Sequence, residues 1–315
     1  MHANSSLYIH FPFCTKKCRY CDFYSITSTE LKKQFISSLL SEIDIISGSL
    51  PDIKNISTIF FGGGTPSLFD AQELDLIVEK INRVYQVEKS AEFTVECNPG
   101  TIDKKKLKDY KNLGVNRLSI GIQSFDDSTL SFLGRIHDSR QSAESLKSSE
   151  AAGFENVSAD LIFSVPGQSI ELWKTDLDKI LAFNVKHISA YNLTYEPQTP
   201  LFTDLRNGLF FPQDTSQEAD LYMLAIDKLE EHHFMQYEVS NFAMKGYECR
   251  HNLNYWYGLN YIGLGPSAHS FYNKTRTANV KNLKKYIDSI QNRNLPLEFS
   301  EKLSKENEME EIIFL

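Results

Sequence analysis

Two periodicities alternate along the first two thirds of the chain, and that alternation limits the fold more than any other feature. Short runs rich in β-branched and aromatic residues recur at residues 7–10, 58–61, 91–95, 116–120, 156–163 and 186–191. Between them the period changes to that of a helix. Leu31, Phe35, Leu39, Ile43 and Ile46, spaced four, four, four and three, fall on one face. Further helices are expected near residues 70–84, 103–113, 139–152 and 170–183, with Gly114 and Gly153 at C-terminal cap positions just before a strand. Consecutive strand starts lie at least 25 residues apart, room for a crossover helix each time, so the strands should pair in parallel. Six βα units fall short of an eight-fold barrel. An open six-unit barrel and a doubly wound sheet both satisfy the period.

Beyond about residue 195 the pattern changes. The loop Glu196-Pro197-Gln198-Thr199-Pro200 leads to a helix near 217–232. An aromatic, Gly-rich segment at 255–272 reads as short strands and turns, and another helix follows near 280–292. The final residues, Glu308 to Leu315, begin an amphipathic helix with no C-terminal cap. We therefore expect a core over residues 1–200, an α+β extension over 201–300, and at 301–315 the start of a truncated C-terminal helical domain.

Composition narrows the function classes. With 41% hydrophobic and 12% aromatic residues among 315, the chain is neither disordered nor a disulfide scaffold. A net charge of −8 disfavours a nucleic-acid partner, and Lys104, Lys105, Lys106 and Lys108 read as a solvated helix face. The N-terminus carries no basic-then-apolar signal, which leads us to expect a cytoplasmic protein whose five cysteines are reduced.

Three of those cysteines, Cys14, Cys18 and Cys21, fall within eight residues directly after the first strand. Thiolates at C-x₃-C-x₂-C spacing can converge on a metal centre. A zinc site would need a fourth ligand, such as His10 or a distant cysteine. Chance clustering of core cysteines fits poorly with the polar, basic loop around them. Cys97 reads as a small buried hydrophobe.

The segment from Tyr8 to Phe23, Tyr-Ile-His-Phe-Pro-Phe-Cys-Thr-Lys-Lys-Cys-Arg-Tyr-Cys-Asp-Phe, resembles the cluster motif of radical S-adenosylmethionine (SAM) proteins. More closely, it is similar to the branch holding oxygen-independent coproporphyrinogen III oxidases and heme chaperones. The resemblance extends from Tyr8 to the end of the chain and implies a partial (βα)6 TIM-like barrel followed by a smaller α+β region. It also implies a [4Fe–4S] cluster on Cys14, Cys18 and Cys21, with one iron left to chelate SAM. An electron passing into the sulfonium would then release a 5′-deoxyadenosyl radical. Gly62-Gly63-Gly64-Thr65 resembles the glycine motif that binds the methionyl amino group. By the same resemblance Glu96 is a ribose-binding carboxylate, and Tyr8, Gln123, Arg135 and Asp160 complete the SAM site. All lie at or near C-terminal ends of successive strands, where parallel barrels build their sites.

Within that branch two functions diverge. The oxidases decarboxylate coproporphyrinogen III. They carry a further cysteine two residues after the third cluster cysteine, where this chain has Phe23, and an N-terminal extension for which the 13 residues before Cys14 lead us to expect no room. The segment Cys249-Arg250-His251-Asn252-Leu253-Asn254-Tyr255-Trp256 holds H-N-x-x-Y-W, which resembles the chaperones' heme motif and implies that His251 ligates heme iron. His10 and His269 are lesser candidates. The resemblance therefore favours a heme chaperone over an oxidase. It implies delivery of heme to membrane haemoproteins such as respiratory oxidases, an electron donor, peripheral contact with the membrane during transfer, and compatibility with a homodimer.

Overall fold

Along β1 (Ser5–Phe11), Leu7, Ile9 and Phe11 alternate with Ser6, Tyr8 and His10, so the two sets face opposite sides of one sheet. The apolar set packs outward on helices: the Phe11 ring lies 5.9 Å from Phe35 and 4.9 Å from Phe69. The polar set faces the interior. The structure, a computed structural model, describes residues 5–314.

The elements follow in the order α1 (Lys32–Ser49), β2 (Asn55–Gly63), α2 (Ala71–Val84), β3 (Gln86–Cys97), α3 (Lys104–Asn112), β4 (Arg117–Gln123), α4 (Asp127–Leu133), α5 (Ser139–Ala151), β5 (Asn156–Phe163), α6 (Ile170–Leu181) and β6 (His187–Asn192). Local chemistry starts several of the helices. Asp70 with Glu73, and Asp138 with Gln141, form capping boxes on α2 and α5, and Ser169 accepts from Leu172 N–H on α6. β1 to β6 are parallel neighbours in chain order. A doubly wound sheet would reverse that order at a switch point. No reversal occurs across the six, which is the arrangement of the open six-unit barrel.

The later elements are α7 (Pro200–Arg206), α8 (Thr215–Glu231), β7 (Met235–Gln236), β8 (Asn241–Ala243), α9 (Arg250–Trp256), β9 (Tyr261–Leu264), β10 (His269–Tyr272), β11 (Thr275–Asn279), α10 (Leu283–Gln291), β12 (Leu297–Lys302) and α11 (Lys305–Phe314). They extend the same sheet at both edges. β9 runs parallel beside β1, with Ser6 opposite Tyr261, and β8 runs antiparallel beside β6. The twelve strands end at β12 and β7, so the sheet stays open.

One buried carboxylate ties the extension to the core. Glu42 on α1, 1% exposed, accepts from Gly265 N (2.8 Å), Asn279 Nδ2 (2.7 Å) and the Tyr286 hydroxyl (2.7 Å). Burial pushes its pKa up to about 7 despite these three donors.

The segment 255–272 differs from the expectation of strands and turns. Tyr255 and Trp256 close helix α9, and strands begin only at Tyr261. Among the described residues no helix is long and apolar enough to cross a membrane.

Candidate cofactor site

The loop between β1 and α1 carries Cys14, Cys18 and Cys21, all half-buried. It is held at several points. Cys14 N–H donates to Ile26 O (2.9 Å) and Ile26 N–H to Pro12 O (2.8 Å). Arg19 N–H donates to Leu133 O at the end of α4 (3.2 Å), and Arg19 O accepts from Leu201 N–H on α7 (2.9 Å). Phe13 anchors the stem in the core, its ring 5.6 Å from Phe35. The backbone thus presents three thiols from a fixed loop.

Donors from neighbouring strands converge on two of the sulfurs. Thr65 Oγ1, just past β2, donates to Cys14 Sγ (3.5 Å). Arg135, between α4 and α5, donates from Nη1 to Cys18 Sγ (3.4 Å). Burial pushes the Cys21 thiol up to about 11, and the neighbouring Cys18 and Cys14 raise it further. Three thiols close enough to repel one another as thiolates are a donor set that suits a polynuclear cationic centre. Among the described residues no three His, Cys, Asp or Glu side chains meet around a single ion. A cubane asks less, because each thiolate holds a different iron. His10, the suggested fourth ligand of a zinc site, has both ring nitrogens engaged, by the Tyr8 hydroxyl (3.0 Å) and Tyr24 O (2.8 Å).

The glycine turn is shaped by close approach. Gly63 has φ of +104°, and a Cβ there would lie 2.6 Å from the His10 ring. A Cβ on Gly64 would meet Phe11 O and Phe13 O at 2.7 Å. Gly63 N–H donates to Glu96 at the end of β3 (3.0 Å). Glu96 is half-buried, and loss of solvent around its carboxyl, reinforced by the charge of Asp160, pushes its pKa up to about 8. Asp160 on β5 is raised for the same first reason, against hydrogen bonds from Ser189 and Ser119, the latter at 3.2 Å. Gln123 ends β4 with φ of 67°, and its side chain folds over Gly121.

Arg135 also bonds Gly121 O from Nη2 (2.9 Å) and the side-chain oxygen of Asn98, while its buried Nε has no partner. An unmade N–H bond on a buried nitrogen is costly, and a ligand carboxylate beside it would accept a charge-assisted bond from that N–H. The orphan Nε therefore fits a ligand carboxylate. Clefts of about 280 and 260 Å³ flank the cysteine loop. Thr15, Ser67 and Lys106 line one, and Lys16, Arg135 and His137 the other.

The structure thus gathers the three cysteines, Gly63, Gly64, Thr65, Glu96, Gln123, Arg135 and Asp160 at the C-terminal ends of β1 to β5. Tyr8 joins them through His10. Asn98 went unnoticed in the sequence. It joins Thr65 (Nδ2 to Oγ1, 2.9 Å) to Arg135, and its only signal was its place two residues after Glu96.

His251 is not part of this group. It sits on α9 at the other end of the strands, 1% exposed, with Nδ1 bonded to Thr58 Oγ1 (2.7 Å) and Nε2 to the Tyr255 hydroxyl (2.8 Å). Burial, then the charge of Arg117, lowers its pKa to about 3, so the ring is neutral. As placed, it offers no free nitrogen. Cys97 and Cys249 are buried.

Residues 8–180 match the Radical SAM superfamily. The chain is 38% identical to heme chaperone HemW of Bacillus subtilis over 98% of its own length and 82% of that protein's. It is 37% identical to heme chaperone HemW of Escherichia coli, over 84% and 69%. The solved structure of coproporphyrinogen III oxidase (HemN) from Escherichia coli, a radical SAM enzyme, superposes with a TM-score of 0.85 at 22% identity, covering 99% of this chain and 75% of that one. That last likeness establishes the fold alone. The chain belongs to the radical SAM superfamily and, within it, to the family of heme chaperones named HemW.

Proposed function

We propose that this protein is a heme chaperone that holds a [4Fe–4S] cluster, SAM and heme, and passes heme to membrane haemoproteins such as respiratory oxidases. The observation that carries the reading is 38% identity to a HemW chaperone over 98% of this chain. In our reading Cys14, Cys18 and Cys21 ligate the cluster. Arg135 receives the SAM carboxylate on its unpartnered Nε, and the Gly63–Gly64 turn lets the amino group approach the backbone. Glu96 and Asp160 take the ribose side, with Tyr8, Thr65 and Gln123 lining the rest. When bound, the cluster supplies an electron from an external donor to the SAM sulfonium. The chain's own residues orient the cofactor and keep water away.

Residues 1–200 serve as the cofactor core in this reading, and 201–315 as the part that adapts it to heme. His251 is the iron ligand implied by its motif, and serving so requires α9 to leave its seat and free a ring nitrogen. Phe23, 68% exposed, stands where the oxidases have their extra cysteine. Anaerobic reconstitution followed by heme titration tests the reading: one tightly bound heme per chain supports it, and no saturable heme binding refutes it.

A further inference from the structure

The motif His251-Asn252-Leu253-Asn254-Tyr255-Trp256 occupies the floor of the open barrel, beneath the SAM site. Its hydrogen bonds to the barrel strands go to Ser6 on β1, Thr58 on β2 and Glu92 on β3. Glu92 on β3, 6% exposed, accepts from Arg250 N–H (3.1 Å) and His251 N–H (3.0 Å), and so holds the start of α9. Arg250 Nη1 donates to Ser90 O (2.7 Å), and Asn254 Nδ2 donates to Ser6 Oγ. His251 is clamped between Thr58 and Tyr255 as described, and the Tyr255 ring stacks edge-on against Tyr261 at 4.6 Å.

From this floor a short column of packed groups climbs to the cofactor residues. The His251 ring lies 5.1 Å from Phe60 and 6.4 Å from Tyr8, and those two rings are 6.1 Å apart. Thr58, Phe60 and Gly62 share one face of β2, so the residue that clamps His251 and the glycine turn are two ends of one row. A Cβ on Gly62 would meet the Phe60 ring at 2.8 Å and the Glu96 carboxyl at 3.1 Å, so Phe60 and Glu96 both crowd that face of the turn. The Tyr8 hydroxyl bonds His10, whose ring lies directly under Gly63, and Gly63 N–H is bonded to Glu96. Interiors packed this closely transmit displacement rather than absorb it.

We propose that His251 and Tyr255 are positioning residues for the SAM site: from the barrel floor they hold Phe60 and Tyr8, which in turn hold the Gly62–Gly64 turn against Glu96. The inference rests on the proposed binding of SAM, and it gives the motif a role in the closed state, where His251 has no nitrogen free for iron. Both side chains reach SAM only through other residues, so neither is a catalytic residue.

The test uses the full chain, wild type beside His251→Ala, His251→Gln and Tyr255→Phe. In protein without cofactors, hydrogen exchange of the peptide spanning the glycine turn should quicken by roughly fivefold in His251→Ala and Tyr255→Phe, while β5 and β6 exchange as in wild type. In reconstituted protein, the SAM dissociation constant should rise by about the same factor, and His251→Gln should recover part of it through the Nε2-like amide. Tyr255→Phe removes one hydroxyl and keeps the ring, so it carries the test if His251→Ala fails to fold. Unchanged exchange at the turn and unchanged SAM affinity in Tyr255→Phe would overturn the proposal. So would loss of heme from His251→Ala with SAM affinity intact, which would leave the residue as an iron ligand only. Wild-type protein that holds its cluster yet binds no SAM would instead refute the SAM reading, while altered exchange at the turn in the same samples would still report the column.

Discussion

Arg135 Nη1 lies 3.4 Å from the sulfur of Cys18, so a guanidinium that follows the fourth strand meets a thiol that follows the first. The same side chain keeps a buried Nε without a partner. One residue thus links the cluster loop to the place where a carboxylate is wanted. Arg135→Lys keeps the charge and loses the Nε donor. We expect the reconstituted cluster to persist and SAM affinity to fall about tenfold, as for one lost charge-assisted bond. Equilibrium dialysis with labelled SAM checks this, and wild-type affinity in the variant would remove Arg135 from the site.

Replacing any one of Cys14, Cys18 or Cys21 with Ala should abolish the iron–sulfur chromophore, because three thiolates leave no spare ligand. Cys97→Ala and Cys249→Ser should keep it, since both side chains are buried and neither belongs to the loop that carries the other three. Iron content and the visible spectrum after anaerobic reconstitution decide. A full iron complement in Cys18→Ala, or stoichiometric zinc in anaerobically purified wild type, would contradict the assignment.

Much of this arrangement was legible beforehand. The six strands and the helices between them follow from the change of period, and the cysteine spacing placed the loop. Propensity could not choose between an open barrel and a doubly wound sheet, because the two differ in strand order and not in local pattern. Strand ends were also underread. Gln86 and Val87 pair with Asn55 and Ile56 at the start of β2, ahead of a register shift, so β3 begins in a mostly polar stretch that shows no alternation. Short elements escaped for a related reason: α4 and α9 each span seven residues, two turns, too few to show a period. The place of His251 was the largest gap. No helix was expected around it, and only tertiary pairing with Thr58 and Glu92 puts α9 at the barrel floor.

Glu42 and Glu96 should make the cofactor-free protein less stable as pH rises. Their folded pKa values, about 7 and about 8, lie above the ordinary carboxyl value. The folded state therefore holds protons that the unfolded chain has released, and stability present below about pH 4.5 is lost as pH climbs through the folded values. Each group contributes a slope of about 1.4 kcal/mol per pH unit within its own window. Urea midpoints should fall in wild type between pH 7 and 8.5, above the range in which buried histidines such as His251 and His10 gain stability as the unfolded chain releases its protons. Below pH 7 the midpoint of Glu42→Gln should fall less, or rise more, with pH than that of wild type, and a pH dependence identical to wild type would show that Glu42 does not titrate there.

Glu96→Gln separates site from scaffold. Removing a desolvated carboxyl that faces Asp160 relieves repulsion, so stability at pH 8 should not decrease. SAM affinity should weaken by about five- to tenfold if the carboxylate accepts ribose hydroxyls. Thermal melts and dialysis on one preparation check both, and lower stability with unchanged SAM binding would make Glu96 purely structural.

The central claim is that this chain carries heme and does not make porphyrin. It is tested most directly by one anaerobically reconstituted sample, given SAM and a reductant, on which heme titration and coproporphyrinogen III turnover are measured side by side. Saturable binding of one heme per chain and no protoporphyrinogen IX are expected. Multiple turnovers of coproporphyrinogen III, with heme binding absent or nonsaturable, would contradict it.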